Sequence, residues 1–408
     1  GGFVGVDIFF VLSGFLISSI LFSQLAREKF SFVDFYSRRI RRIYPSLLVI
    51  LIACFIFGWF VLYDDEFRQL GKHIAGGAGF VANLVYWAES GYFDSAAETK
   101  PLLHLWSLGI EEQFYIIWPL LLWFSWKKRF SLLKLTVLIL VGSFLLNIAL
   151  FRTDTVADFF SPFTRFWELL AGALLAYFTI FKSDNEANAR SRSKLFGWLF
   201  LIGRNIPKRL YSQTVLSVTG FVFILVAIFI TKKSHFPGVW ALIPVLGTLM
   251  MIAAGKDAWI NKKLLSHKLL VMLGIISYPI YLWHWPLLSF AQILSVKTPD
   301  LPVRILIIPV SVLLAWLTFR FVENPLRFGL HVRIKTLVLF VLMFFVGLTG
   351  YLSYKYNVFT GRSISQYSNA LILDFYADEH GLTSKPDNLV NECGLNGKDK
   401  EFFPNCFS

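Results

Sequence analysis

The residues best suited to chemistry lie close together, between positions 104 and 115. His104 and Ser107 are three residues apart, and Glu111 follows four residues after Ser107. On an α-helix these spacings place the three side chains on one face within two turns. An imidazole and a carboxylate can exchange protons with a hydroxyl group, so this face could serve an acid–base step. The alternative is that His104 only caps the loop before the helix.

Ionisable side chains recur in the other apolar runs. Arg165 and Glu168 are three residues apart and are predicted to pair with each other or with Asp7. Such groups are costly inside apolar segments and usually face the interior of a helix bundle. The pair could equally be a structural lock, and the neighbouring aromatic residues could be only an interfacial belt. The further polar-path candidates are Trp106, Tyr115, Tyr278, Tyr281 and His284.

Four arginines precede the dipeptide Tyr44–Pro45, at positions 38, 39, 41 and 42. Arg39 and Arg42 are three residues apart, which places two guanidinium groups on one helical face. Guanidinium groups bind phosphates bidentately, so the pair is a candidate clamp for a phosphorylated ligand. The alternative is that the arginines only fix the orientation of a membrane helix.

The elements that position these residues are predicted to be membrane helices. Of the 408 residues, 56% are hydrophobic and only 16% are charged, against about 25% charged in soluble domains. The sequence therefore predicts an all-α, polytopic transmembrane helical bundle. We expect about ten spans, near 3–23, 46–63, 105–125, 132–151, 163–181, 214–231, 239–254, 269–292, 303–322 and 334–354. The glycine-rich stretch Ile74–Trp87 is short and is predicted to be re-entrant or interfacial.

The distribution of charge orients this bundle. Lysine and arginine are about three times as frequent in alternate loops, which predicts that these loops are cytoplasmic and that the C-terminal tail is outside. On this topology the acidic and histidine residues of the spans lie towards the outer leaflet and the arginine cluster lies inside. The net charge of +13 sits in short clusters between spans, so the lipid bilayer and not nucleic acid is the expected partner. No His, Cys or carboxylate cluster has metal-ligand spacing, so no metal is expected.

Seven stretches of the chain resemble the membrane acyltransferase family 3, which includes O-antigen acetylases. They occur in the family's order and cover nearly all of the membrane portion. The matching stretches are Gly1–Ile17, Phe35–Pro45, Leu102–Pro119, Ser161–Ala173, Phe236–Gly247, Gly274–Pro286 and Phe319–Arg327.

The resemblance implies an acyl-CoA donor, most simply acetyl-CoA, with no bound cofactor. It places Arg39 and Arg42 at the donor phosphates and gives His104 and Glu111 supporting roles in catalysis. The family's main histidine lies on a helix that would precede Gly1. Within the last stretch, Glu323 and Pro325 are expected to be structural.

The tail resembles the entry to an extracytoplasmic SGNH hydrolase-like domain. The expected division is an acyltransferase membrane domain at 1–328, an additional transmembrane helix at 329–354, and a linker with the start of the SGNH-like domain at 355–408. Cys393 and Cys406 flank a loop in this polar tail, and outside the cytoplasm they are expected to form a disulfide.

The resemblance predicts an O-acyltransferase of the bacterial inner membrane. The acyl group, most simply acetyl, would move to a hydroxyl of an extracytoplasmic polysaccharide such as O-antigen, or of its lipid-linked precursor. Peptidoglycan or exopolysaccharide is the alternative acceptor. The residues alone leave a second class open, a transporter or flippase of acyl groups or lipid-linked sugars.

Overall fold

The computed structural model describes residues 4–90, 97–181, 208–230, 237–295 and 298–356. Every regular element within these ranges is helical, which confirms the predicted all-α class. The α-helices are α1 (Val4–Ala26), α2 (Phe32–Val61), α3 (Asp64–Ala78), α4 (Ala82–Glu89), α5 (Leu105–Lys127), α6 (Leu132–Thr153), α7 (Thr155–Phe160), α8 (Pro162–Phe181), α9 (Lys208–Ile230), α10 (Leu242–Ala254), α11 (Lys268–Ile275), α12 (Ser277–Ser295), α13 (Leu301–Thr318), α14 (Asn324–Arg327) and α15 (Val332–Tyr356). A π-helical turn, Phe319–Glu323, joins α13 to α14.

Five of the described helices are long and apolar enough to cross a bilayer, and a sixth span results if the bent pair α11–α12 is counted as one. Large apolar side chains are exposed along them, for example Leu138 (72%) on α6 and Leu306 (62%) on α13. Such surfaces suit lipid and not water. The protein is therefore a multi-pass membrane protein.

The count of about ten spans is not confirmed. Four helices at predicted spans fall outside the five. Helices α9 and α10 are apolar but have fewer than 18 described residues, whereas α5 and α8 are long enough. Their polar groups lower the mean hydropathy: Glu111 and Glu112 lie on α5, and Arg165 and Glu168 lie on α8. These are the charges that the bundle encloses, so hydropathy alone underestimates how deeply the two helices are buried.

Residues 74–87 form the tip of a helical hairpin, which consists of α3 and α4, as expected for a re-entrant segment. The connection passes through Gly79 and Phe80, and Phe80 has a positive φ of 55°. The amide of Gln113 on α5 donates to the carbonyl of Phe80 over 2.9 Å, which satisfies the backbone at the tip. At the open end, Lys72 on α3 pairs with Glu89 on α4 over 2.8 Å. The hairpin therefore carries its tip to the middle of α5.

The predicted continuous span at 269–292 is wrong in one respect, because it is broken at Ile276. Helices α11 and α12 meet there at a bend of 69°. Pro279 explains the break, since a proline ring clashes with the carbonyl four residues earlier but fits the first turn of a new helix. A new helix therefore begins at Ser277 with Pro279 in its first turn.

Glycine-mediated crossings hold the described bundle together at three places, one of which is the contact of Gly220 on α9 with Gly247 on α10. Helices α1 and α8 touch backbone to backbone, because a Cβ on Gly14 would overlap Leu169 and a Cβ on Gly172 would overlap Val11. Helix α15 lies on α3 in the same way, and a Cβ on Gly350 would lie 2.6 Å from the carbonyl oxygen of Gly71. Small residues that allow such close approach are typical of helix contacts in membranes.

We expect Gly14→Ala to destabilise the protein by about 2 kcal/mol or more, since overpacking of a tight contact costs about 1–3 kcal/mol and here the obstacle is backbone. Gly5→Ala on the same helix is the control, because a Cβ there meets no atom within 4 Å and alanine favours a helix by about 0.5–1 kcal/mol. Thermal unfolding in detergent measures both. Equal stability of the two variants would contradict the backbone contact.

Candidate active site

A row of polar side chains runs along one face of α5 and meets partners from α1, α2 and α12. We call it the α5 polar string, and its members are Ser13, Arg39, His104, Ser107, Glu111, Glu112, Tyr115 and Tyr281. The three residues that the spacing predicts to share a face, His104, Ser107 and Glu111, are all buried within the bundle.

Glu111 is the centre of the string. The hydroxyl groups of Ser13 on α1 and Tyr115 on α5 both donate to Glu111 Oε1. Glu111 is 4% exposed, so its charge depends on these donors and on the nearby guanidinium group of Arg39. A carboxylate that accepts from two hydroxyl groups can take a proton from either, which is the chemistry expected of an acid–base group.

Arg39 forms the end of the string nearest to Tyr115. Its Nη2 lies 2.9 Å from Glu112 Oε1, and its guanidinium carbon lies 4.0 Å from the centre of the Tyr115 ring. The side chains of Arg39 and Glu112 are 16% and 10% exposed. The contact thus combines an ion pair with a cation–π interaction in a site that retains some access.

This contact corrects the predicted separation of an inner arginine cluster from an outer acidic cluster. Arg39 belongs to the first and Glu112 lies beside the second, yet they are in contact. The physical reason is that an unpaired guanidinium or carboxylate is costly in the bundle, so each takes the other as its counter-charge. The second predicted phosphate ligand, Arg42, differs from Arg39. It is exposed and forms no ion pair or hydrogen bond with any residue that the structure describes.

The other end of the string, at the start of α5, contains two histidines and a tyrosine. The Tyr281 hydroxyl donates to the carbonyl oxygen of His104 and lies 2.9 Å from Ser107 Oγ. The rings of His104 and His284 are 6.0 Å apart between centroids. His104 is 7% exposed and neither ring nitrogen has a hydrogen-bond partner among the described residues. It makes no side-chain cap bond to α5, so the capping interpretation is not supported.

The second histidine of this group, His284, belongs to α12. It lies near the middle of α12, and its Nδ1 is 3.2 Å from the carbonyl oxygen of Ile280. It lines a groove of about 620 Å³ between α11, α12 and α13, together with Tyr281 and apolar residues.

The remaining predicted residues, Tyr278, Glu323 and Pro325, connect the helices to one another. Tyr278 donates to the carbonyl of Ile43 over 3.1 Å. Ser46 donates to Glu323 over 3.1 Å, and the carbonyl of Pro325 accepts from Lys335 over 2.8 Å. These contacts agree with structural roles for Glu323 and Pro325.

Asp7, Arg165 and Glu168 form a second polar cluster, between α1 and α8. Arg165 lies 2.5 Å from Asp7 and 3.2 Å from Glu168, so both predicted pairings are confirmed. All three are fully buried, and the guanidinium carbon lies 5.9 Å from the centre of the Trp106 ring. Two carboxylates share one guanidinium here, which makes the cluster a strong tie between the two helices that cross at Gly14.

Asp158 on the short helix α7 was not identified from the sequence. It is fully buried and accepts from the amide of Asn147 over 3.1 Å. Burial raises the pKa of Asp158 to about 7, although the charge of Arg165 and the hydrogen bond from Asn147 oppose that rise. No spacing marks it, because Asn147 and Asp158 lie on different helices.

A further ion cluster at the open end of the hairpin was also missed. Glu89 accepts from His73 over 2.9 Å and pairs with Lys72 at 2.8 Å and Lys100 at 3.2 Å. Burial alone would raise the pKa of Glu89, but the hydrogen bond from His73 and the two ammonium groups lower it to about 2. The carbonyl of Lys100 accepts from the Trp285 indole over 2.9 Å. His73 thus helps to fix the middle of α12. The predicted disulfide cysteines, Cys393 and Cys406, lie outside the described residues.

The fold and the site define a membrane protein in which acid–base groups, a guanidinium group and an imidazole pair are enclosed by helices. A family model described as an acyltransferase domain matches residues 1–320. The match covers well over half of the 408 residues. The chain belongs to this acyltransferase family, which confirms the resemblance of its motifs.

Two curated relatives indicate the branch of the family that the chain is similar to. The peptidoglycan O-acetyltransferase OatA of Listeria monocytogenes is 32% identical over 345 residues, which are 80% of this chain and 51% of that protein. The O-acetyltransferase OatA of Staphylococcus aureus is 30% identical over 341 residues, which are 80% of this chain and 53% of that protein. The chain therefore spans about half the length of these relatives. No solved structure gives a significant match to it.

Arg165→Met is expected to destabilise the protein by about 3–5 kcal/mol, because it leaves buried carboxylates without their counter-charge. Combining it with Asp7→Asn and Glu168→Gln should restore a large part of that loss. Arg320→Met, at an exposed arginine, is the control. Thermal unfolding in detergent tests the series, and a triple variant no more stable than Arg165→Met would argue against charge burial as the cause.

The raised pKa of Asp158 predicts a pH-dependent stability. Its pKa of about 7 lies above the unfolded value of about 3.9. The contribution of Asp158 to the free energy of unfolding is therefore complete below pH ~4 and is lost as the pH rises towards ~7. Asp158→Asn should remove this slope, so the difference in melting temperature between wild type and variant changes over this range. Asp300→Asn, at an exposed aspartate, should keep the wild-type slope.

Proposed function

We propose that the protein is an integral-membrane O-acetyltransferase. It moves an acetyl group from acetyl-CoA in the cytoplasm to a hydroxyl of a glycan outside the membrane. The donor is a substrate and no bound cofactor takes part. The bundle lies in the bacterial cytoplasmic membrane with the tail after α15 outside, as the distribution of lysine and arginine suggests.

The α5 polar string is the observation that carries this proposal. Acyl transfer to a hydroxyl needs a group to take the hydroxyl proton and positive charge where oxyanion charge develops. The string supplies carboxylates and imidazoles for the first task and Arg39 for the second. Along α5, Glu112 and His104 are eight residues apart, about 12 Å at 1.5 Å per residue. This is well below the ~30 Å thickness of the hydrocarbon core, so donor and acceptor would need to span only part of the membrane.

The arginines divide into two roles in this proposal. Arg42 is exposed and unpaired within the described residues, so it is available to hold the donor phosphates. Arg39 already pairs with Glu112 and stacks on Tyr115, so it positions the acid–base groups and presents its remaining donors to the thioester end. The predicted two-arginine clamp becomes one phosphate ligand and one positioning residue.

Peptidoglycan is the acceptor that the relatives support. The Listeria relative is named a peptidoglycan O-acetyltransferase. We therefore favour peptidoglycan over O-antigen, which the motifs had placed first. A transporter or flippase that does not cleave the donor remains the contrasting class, and release of coenzyme A distinguishes it.

Arg42→Ala is expected to raise KM for acetyl-CoA about 10- to 100-fold with little change in kcat. Loss of a charge-assisted hydrogen bond costs about 1.5–3 kcal/mol. Arg38→Ala is the matched control, since Arg38 is exposed on the same helix and, among the described residues, bonds only the carbonyl oxygen of Asp34. It should change KM less than about twofold. Arg39→Ala should lower kcat as well.

The assay is coenzyme A release by the reconstituted protein in the presence of peptidoglycan fragments. An Arg42→Ala variant that behaves like Arg38→Ala would remove the phosphate role of Arg42 and leave the enzyme proposal intact. Absence of coenzyme A release from the wild-type protein would favour transport.

A further inference from the structure

The residues Phe319–Arg327 connect α13 to α14, and we call them the α13–α14 junction. The junction begins with the π-helical turn Phe319–Glu323 and ends at Arg327, the last residue of α14. π-Helical turns are rare and occur frequently at functional sites. Arg327 has no part in the site described above, so its position relative to the arginines of α2 decides whether it could join that site.

Two hydrogen bonds hold the junction against α2. Arg41 Nη1 donates to the carbonyl oxygen of Arg327 over 2.7 Å, and Ser46 Oγ donates to Glu323 Oε2 over 3.1 Å. Arg42 is four residues before Ser46, so the two side chains lie on the same face of α2. This face is directed at the junction, and the guanidinium groups of Arg42 and Arg327 both lie close enough to Glu323 to act on its charge.

The described charges at the junction do not balance. Glu323 is 3% exposed, and its Oε1 lies 3.5 Å from Nη1 of Arg327, at the long end of ion-pair distances. Arg39 is also close to Arg327, but it is paired with Glu112 at 2.9 Å. Among the residues that the structure describes, one carboxylate therefore faces two guanidinium groups, those of Arg42 and Arg327. The side chain of Arg327 is 31% exposed, so a ligand can reach it.

This arrangement suits an anion that carries several charges. Two guanidinium groups repel each other, and an anion bound between them replaces the repulsion by attraction. Guanidinium groups match phosphates in geometry and bind them bidentately. The nucleotide end of coenzyme A carries a diphosphate and a 3′-phosphate, so it offers phosphate groups to more than one arginine.

We propose that Arg327 is a second phosphate ligand of the donor, and that the nucleotide end of coenzyme A binds between α2 and the α13–α14 junction. Arg42 and Arg327 hold the phosphates from two different helices, and Glu323 offsets part of their charge when the site is empty. Arg39 stays with Glu112 and the acid–base groups. The inference rests on the proposed function, because that function supplies the donor.

Arg327 can be replaced without detaching the junction from α2. Arg41 bonds the backbone carbonyl of Arg327, which every residue provides. The described contacts of the Arg327 side chain are the 3.5 Å pair with Glu323 and a cation–π contact with Phe328, in which the guanidinium carbon lies 5.1 Å from the ring centre. Arg327→Ala is therefore expected to leave the fold intact.

The test measures the dissociation constant of coenzyme A by isothermal titration calorimetry, with the full chain in detergent. We expect Arg327→Ala to weaken binding about 10- to 100-fold, because it removes charge-assisted hydrogen bonds to phosphate. Arg327→Lys should lose less, since it keeps the charge but not the planar fork. Arg333→Ala is the matched control, because Arg333 is an exposed arginine at the start of α15, and it should change the constant less than about twofold.

A second probe, adenosine 3′,5′-bisphosphate, carries the nucleotide end without the pantetheine arm. Arg327→Ala should weaken the binding of this probe by a similar factor. A variant that loses affinity for coenzyme A but not for the bisphosphate would overturn the assignment of Arg327 to the phosphates.

The double variant Glu323→Gln/Arg327→Ala separates phosphate binding from the neutralisation of Glu323. We expect it to bind coenzyme A about 10-fold or more weakly than Glu323→Gln alone, because the phosphate ligand is still missing. A double variant that binds as tightly as Glu323→Gln would mean that Arg327 serves only Glu323, and the inference would be wrong.

Wild-type affinity in both Arg327→Ala and Arg327→Lys would also overturn the inference, and it would leave the proposed function standing. Wild-type protein that binds no coenzyme A would instead count against the donor in the proposed function, and the role of Arg327 would fall with it.

Discussion

The contact between Arg39 and Glu112 ties the chemistry of the protein to its architecture. A charge placed among apolar helices must be neutralised by a neighbour, and the neighbour must come from another helix if the bundle is to gain from it. Arg39 reaches Glu112 from α2 and at the same time covers Tyr115, which donates to Glu111. Because Ser13 bonds that same carboxylate from α1, three helices are held by one set of charges.

The Asp7–Arg165–Glu168 cluster also neutralises charges between helices, and all three of its side chains are fully buried. It joins α1 to α8, which also cross at Gly14 and Gly172. The two helices are therefore fixed twice, once by backbone contact and once by charge. That rigid pair supports Ser13, which lies on α1 between Asp7 and the C-terminal end of the helix, and so holds a member of the α5 polar string in place.

Much of this arrangement could be predicted from the sequence because it depends on helical spacing. His104, Ser107 and Glu111 share a face, and Arg165 reaches Glu168 one turn on and Asp7 on another helix. Contacts between distant segments could not be predicted in this way. Ser13 meets Glu111 across 98 positions and Arg39 meets Glu112 across 73. No periodicity encodes such pairs, so the inner and outer clusters were expected to be separate.

Local breaks in helices were the other limit. The glycines of the hairpin predicted the interruption before α4. Pro279, however, was placed inside a continuous span, although its ring would clash with the carbonyl of Ile275 in an uninterrupted helix. His73 reaches its partner, Glu89, only when α3 and α4 fold back on each other, so no helical spacing marks the pair.

The crossing of α15 over α3 has a consequence for relatives that end before such a helix. Gly71 has no side chain because the backbone of Gly350 occupies that space. Without α15, the groove on α3 at Gly71 would face the acyl chains of the bilayer, which would fill so narrow a groove poorly. The residue at this position should therefore covary with the presence of the extra helix. We expect glycine in related chains that carry the helix and a bulkier apolar residue in related chains that lack it.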